Sequence, residues 1–349
     1  MSLIQNIEIK NFKSIRHQKI EGCKRVNVFI GYPNVGKSNI LEAMSLASSE
    51  FNNSGKSISL KDLCRYDELI GLYNDGNKQK EIVLTINDFT YLLWYFDPNT
   101  IQYGVFENEV LDKVDKFDVS KASKRLTINQ TGTFSQISTH TGKKHPHIQI
   151  KKYQFRNLNN YAKNNPVKLD FPFGDNLFEV IRYNGELRRQ CGEMFHDYNL
   201  KLAFDSESKL EIQKQLDEYS VFKISMVQVS DTLQRVMFYK TAISSNTDSI
   251  LLFEEPEAHM FPPYISKFTT DVKFDENKNQ YFIATHSPFV LNDFMEDMDK
   301  DELSIYAVGY KKETGETIIR KITEDEINDI YQYGIDLFFN LENYLKDVV

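Results

Sequence analysis

Residues 31–38 read Gly31-Tyr32-Pro33-Asn34-Val35-Gly36-Lys37-Ser38: a glycine, four residues, then Gly-Lys-Ser. The apolar run Val26-Asn27-Val28-Phe29-Ile30 precedes this stretch and Asn39-Ile40-Leu41-Glu42-Ala43-Met44 follows it. A buried strand, a tight loop and a helix start are therefore expected in that order. A loop of this kind holds phosphate, because backbone N–H groups converge on an anion at a helix N-terminus whose dipole favours negative charge. Gly31 and Gly36 permit the turn and the close approach of backbone to phosphate. Lys37 can reach the β- and γ-phosphates, and Ser38 can offer its hydroxyl to a magnesium ion. The candidate nucleotide contacts run from Gly31 through Tyr32, Pro33, Asn34, Val35, Gly36, Lys37 and Ser38 to Asn39.

Two later strands also end in chemistry. Ser249 to Phe253 carries a continuous apolar run, as in a parallel sheet buried on both faces, and leads into Glu254-Glu255-Pro256-Glu257-Ala258-His259. Adjacent carboxylates at the end of a buried strand are costly unless a cation or a reaction uses them. Glu254 is expected to hold the metal, and Glu255 to orient and activate the attacking water. Tyr281 to Ala284 is the second such strand and ends in Thr285-His286-Ser287-Pro288. His286 is expected to hydrogen-bond the γ-phosphate or the water. Ser230-Asp231-Thr232-Leu233-Gln234-Arg235 permits two readings: a helix N-cap, or an anion site at a free helix N-terminus.

With 349 residues, 41% of them hydrophobic, the chain can fill one large or two moderate cores. No run approaches ~18 uninterrupted apolar residues, and the N-terminus lacks a signal-peptide layout, so no membrane segment and a cytoplasmic location are expected. Cys23, Cys64 and Cys191 lie far apart, which suggests free thiols. The net charge of −8 gives no overall pull toward nucleic acid, so any DNA contact must be local. The basic stretches Lys121 to Arg125, Lys143-Lys144-His145, Lys151-Lys152 and Arg182 to Arg189 are expected as solvated faces.

Along the chain, residues 2–12 and His17 to Ile20 read as paired strands, and Ser38 to Glu50 reads as a helix stopped by Asn52-Asn53-Ser54-Gly55. Ile82 to Ile86 and Tyr91 to Phe96 are strands. From about 100 to 170 the composition suggests a β-rich insertion with strands at Arg125 to Asn129, Thr133 to Ser138 and Ile148 to Phe155. Asn176 to Tyr198 reads as one helix. Leu200 to Phe204, Lys209 to Ile212 and Val221 to Val229 read as a small meander. Leu303 to Gly309 and Thr317 to Ile322 form a hairpin, and Glu324 to Leu345 a closing helix. No long heptad run occurs, which excludes a long coiled-coil arm.

Taken together, GYPNVGKSN, VSDTLQR, ILLFEEPEAH and ATHSP, with the opening IEIKNFKSI, resemble the ABC-type ATPase heads of the OLD (overcoming-lysogenization-defect), RecF and SMC group. The EEPEAH and THSP wording is closest to the OLD-like branch, which includes ATPase subunits of phage-defence systems of the Septu and PARIS types. The resemblance implies an α/β P-loop NTPase of ABC head type: a mixed sheet with flanking helices and a β-rich plus helical insertion. Residues 1–99 and 200–349 would be the two parts of the head, with 100–199 as the insertion. It further implies ATP and Mg2+ as ligands, with Lys13 and Ser14 near the nucleotide. Ser230 would be the signature serine that touches a nucleotide held by a second subunit. Asp231 and Thr232 replace the usual signature glycines. A homodimer or higher homo-oligomer of heads would follow, acting on a separately encoded effector, with DNA as a further possible partner. No Toprim nuclease pattern follows Pro288.

Overall fold

The computed structural model describes residues 3–48, 58–108, 119–139, 148–158, 160–204 and 210–346. Strand β1 (Asn6–Phe12) alternates buried and more exposed positions, and β2 (Ile15–Glu21) folds back on it with Ile7 opposite Ile20. Strand β3 (Val26–Ile30) is buried at every residue and delivers the chain to the phosphate loop. Helix α1 (Lys37–Ser45) starts directly after it.

The chain next builds β4 (Ile82–Ile86), β5 (Phe89–Asp97), β6 (Thr100–Glu107), β7 (Lys124–Asn129) and β8 (Phe134–Thr139). These join the first hairpin in a seven-stranded antiparallel sheet of order β2-β1-β4-β5-β6-β7-β8. Strand β9 (Ile150–Tyr153) leaves that sheet and enters another. Strands β10 (Leu200–Phe204), β11 (Leu210–Gln215) and β12 (Val221–Ile224) form a separate three-stranded antiparallel sheet.

The central sheet has the order β16-β15-β3-β14-β13-β9. It contains β13 (Ile250–Glu254), β14 (Gln280–Thr285), β15 (Leu303–Tyr310) and β16 (Thr317–Lys321). All pairings among β9, β13, β14, β3 and β15 are parallel; only β16 runs antiparallel. Parallel strands covered on both faces must be apolar throughout, which accounts for the continuous runs in β3, β13 and β14. Their carboxyl ends lie at one edge, where ligands bind in open α/β sheets. The expected α/β P-loop architecture, with a mixed sheet and flanking helices, is the one observed.

Several local expectations change. The basic pair Lys151-Lys152 is not a solvated face: it sits in β9, with both residues 3% exposed. Residues 100–199 therefore contribute a strand to the central sheet as well as to the antiparallel one. The segment 176–198 is two helices, Leu177–Tyr183 and Gly185–His196, because the Asn184 side chain accepts from Leu187 N (3.0 Å) and caps the second. The stretch 221–229 is a strand only to Ile224; Met226–Gln228 is a 3-10 turn. The closing helix stops at Tyr333, where Gly334 takes φ 61°, and Leu341–Leu345 is a separate turn of helix. The expected stop at Asn52 to Gly55 and the Lys143-Lys144-His145 cluster lie outside the described residues. Cys23, Cys64 and Cys191 are free and buried. Among the described residues no helix is long and apolar enough to cross a membrane.

Candidate nucleotide site

Glycine is required at both ends of the loop. A Cβ on Gly31 would overlap the Val308 carbonyl at the end of β15, and one on Gly36, whose φ is 100°, would overlap Thr317 Oγ1. Tyr32, Pro33 and Asn34 are exposed, whereas Val35 is buried and its carbonyl accepts from Thr317 Oγ1 (2.9 Å). Lys37 folds back along the loop, donating to the carbonyls of Gly31 (2.9 Å) and Tyr32 (2.9 Å). Burial pushes its ammonium down to about 8, against the opposing pull of Glu255, Glu257 and Glu254.

The ends of β13 and β14 meet this lysine. His286 Nδ1 lies 3.5 Å from Lys37 Nζ, and its Nε2 lies 3.2 Å from Glu255 Oε1. Burial, then the Lys37 charge, lowers the His286 pKa below its ordinary value, against the opposing pull of Glu255. Glu255 is held at φ 44°, a left-handed conformation that is strained for glutamate, with its N–H bonded to Ala284 O (2.8 Å). Glu257 supports the same corner from below: its Oε1 accepts from Thr285 Oγ1 (2.5 Å) and from His286 N (3.1 Å). Burial raises the Glu257 carboxyl above its ordinary range. Glu257 carried no separate signal, because E-E-P-E does not reveal which carboxylate turns onto the end of β14.

Glu254 points elsewhere, into a buried charge network. Its Oε1 pairs with Arg65 Nη2 (2.7 Å) and its Oε2 with Lys152 Nζ (3.3 Å), while the Ser38 hydroxyl also bonds it. Burial raises this carboxyl, but Lys152, Ser38 and Arg65 together outweigh that and hold it below the ordinary value. Glu42, on α1 and fully buried, shares two of these cations, Arg65 Nε at 2.9 Å and Lys152 Nζ at 3.9 Å, and adds a third, with Lys13 Nζ in close contact. Lys13, expected near the nucleotide, thus braces the helix that follows the phosphate loop. Ser14 does so too, accepting from Asn39 Nδ2 (2.7 Å) and bonding Thr317 Oγ1 (2.7 Å). Lys152 and Thr317 are brought here only by the pairing of β9 with β13 and of β16 with β15, and Arg65 only by the turn after the short helix Leu60–Leu63, so none of the three carried a local signal for this site. In the same register Tyr153 pairs with Phe253, the residue before Glu254.

Ser230 is exposed and caps the helix Asp231–Ser245, accepting from Leu233 N (3.4 Å). Thr232 Oγ1 donates to His259 O (2.8 Å), which ties that helix start to the loop after Glu257. Of the expected site residues, Lys37 and Glu255 meet through His286, Ser38 and Glu254 adjoin, Lys13, Ser14 and Asn39 brace the loop, and Ser230 stands on its own helix.

Known proteins resemble short parts of the chain. An ATP/GTP phosphatase of Helicobacter pylori is 48% identical over 42 residues, 12% of this chain and 11% of that protein. The DNA replication and repair protein RecF of Caldanaerobacter subterraneus subsp. tengcongensis is 35% identical over 65 residues, 19% of this chain and 17% of RecF. The chain thus matches under a fifth of the length of either relative. Among solved structures, an Smc head domain with an extended coiled coil from Pyrococcus furiosus, bound to the C-terminal domain of ScpA, aligns with a TM-score of 0.49. That alignment is 12% identical and covers 95% of this chain and 99% of that one. The SMC head domain from Thermotoga maritima aligns with a TM-score of 0.41 and 10% identity, over 92% of this chain and 100% of that one. A family model described as an AAA domain matches residues 6–255, well over half of the chain, and the chain belongs to that family.

Proposed function

We propose that the chain binds ATP and hydrolyses it with magnesium. The convergence of Lys37, Glu255 and His286 on one another carries this reading. Lys37 exchanges its loop carbonyls for the phosphates, alongside the N–H groups of the stretch Gly31 to Asn39 other than Pro33, which has none. Glu255 accepts the proton of the attacking water, and the His286 ring steadies the γ-phosphate or that water. The Ser38 hydroxyl and the Glu254 carboxylate fit magnesium, which takes one or two oxygens from protein and the rest from phosphate and water. When bound, the ion neutralises phosphate charge.

Ser230 completes the site of a second copy, so that ATP joins two heads in a homodimer or larger homo-oligomer. The output on this reading is control of a separately encoded effector, a nuclease, in anti-phage defence. The EEPEAH and THSP wording supports that choice. A second reading, a RecF-like clamp closing on duplex DNA with ATP, draws on the 35% identity to RecF.

Turnover and ATP binding in Glu255→Gln test the core of the proposal: binding persists, and hydrolysis falls at least ~100-fold, the usual scale of general-base loss. Near-normal turnover removes Glu255 from that role. Duplex-DNA retention with and without ATP separates the two outputs, since a clamp requires ATP-dependent, salt-sensitive retention.

A further inference from the structure

The charge network around Glu254 has three cations and two carboxylates: Lys13, Arg65 and Lys152 facing Glu42 and Glu254. Both oxygens of Glu254 are engaged, one by Arg65 and one by Lys152. The two cations differ in freedom. The Lys152 side chain is 3% exposed and also donates to Leu63 O (3.2 Å), whereas the Arg65 side chain is 64% exposed.

We propose that Arg65 is the exchangeable counter-ion of Glu254: it holds the carboxylate in place, excludes free magnesium, and yields to a magnesium–nucleotide complex. This inference rests on the proposed nucleotide-binding function. A divalent ion alone would add two charges to a cluster that already carries a net positive charge, in surroundings where charge is poorly screened. A nucleotide brings the negative charge that offsets the addition. Arg65 is the partner able to leave, because its guanidinium reaches solvent and keeps its bond to Glu42 through Nε. Lys152 stays and prevents Glu42 and Glu254 from repelling each other while the exchange occurs. The reach of the glutamate side chain suits a carboxylate that serves a guanidinium and a metal in turn.

Electron paramagnetic resonance of Mn2+, used as the probe for magnesium, tests this on the full chain. In the wild type, Mn2+ without nucleotide should stay free at millimolar concentration, and Mn2+ with ADP should bind. In Arg65→Ala the Mn2+–ADP affinity should rise about fivefold, the scale of one partly exposed ion pair, and Arg65→Lys should return it toward wild type. Unchanged affinity in Arg65→Ala overturns the proposal. So does tight binding of free Mn2+ by the wild type, an arm that needs no variant to fold. If the wild type binds ADP but the Arg65 variants behave alike, only the role of Arg65 fails; if it binds no ADP in any condition, the nucleotide-binding function fails with it.

Discussion

The carboxyl edge of β3, β14 and β13 and the start of the helix Asp231–Ser245 were both expected to touch nucleotide, and the chain builds them in opposite ways. At the first, Lys37, His286 and Glu255 form one bonded chain, and Glu254 and Glu42 are joined in another through Arg65 and Lys152. At the second, Ser230 is exposed and makes one capping bond, and the neighbouring β12 leaves Val221 and Phe222 exposed. The difference follows from solvation. A charge taken out of water must be balanced by partners inside the fold, so the buried Lys37, Glu42 and Lys152 are all paired before any ligand arrives. A hydroxyl left in water carries no such requirement, so any role of Ser230 toward phosphate depends on a second body.

The sharpest way to break this contrast is to remove a buried partner. Lys152→Met should cost about 3 kcal/mol of stability, because it leaves Glu42 and Glu254 close together with less compensating charge. Urea denaturation of the folded chain measures it; a loss below about 1 kcal/mol would mean that the network is solvated like any surface cluster. Gly36→Ala comes next. The φ of 100° and the overlap with Thr317 Oγ1 should cost about 2 kcal/mol and abolish nucleotide binding, read by denaturation and by fluorescent-ADP titration. An alanine variant that binds ADP normally would show that the loop tolerates a side chain where this geometry forbids one.

How far such features could be read in advance depends on whether they are local. Gly31, Gly36, Lys37 and the apolar strand before them are local, since a tight phosphate turn imposes its residue types within eight positions, and the fold class follows from them. The burial of β13 and β14 was equally legible as uninterrupted apolar runs. Lys151 and Lys152 were misread because two lysines in a polar stretch look solvated; only their place beside β13 supplies the buried partners, Asn246 at 2.8 Å for the first and Glu254 at 3.3 Å for the second. Asn184 broke a helix that apolar spacing alone had joined, because its cap competes locally with helix continuation. Thr317 lies 303 positions from Ser14, its hydroxyl partner, and no periodicity reports a bond of that span.

Lys37 sharpens the comparison through protons. Its ammonium titrates at about 8 because it is buried, and phosphate charge beside it favours the protonated form and raises that value. ADP binding should therefore take up protons at pH 8 to 9, with affinity falling up to about tenfold per pH unit above 8 until the raised value is passed. Calorimetry in buffers of different ionisation enthalpy reads the uptake directly. Proton release, or no linkage at all, would detach Lys37 from the phosphates.

The smallest effect belongs to the exposed side of the contrast. Ser230→Ala removes an N-cap and should lower stability by about 1 kcal/mol, with Asp231 at the first position of the helix still favouring its dipole. ADP affinity of the single chain should not change, since Ser230 bonds only its own helix and not the phosphate loop. If Ser230 serves a second copy, ATP-dependent association of the Glu255→Gln background, followed by analytical ultracentrifugation, should weaken by much more than the capping loss. If it is only a cap, association and stability should fall by the same small amount, and the serine belongs to the fold rather than to the site.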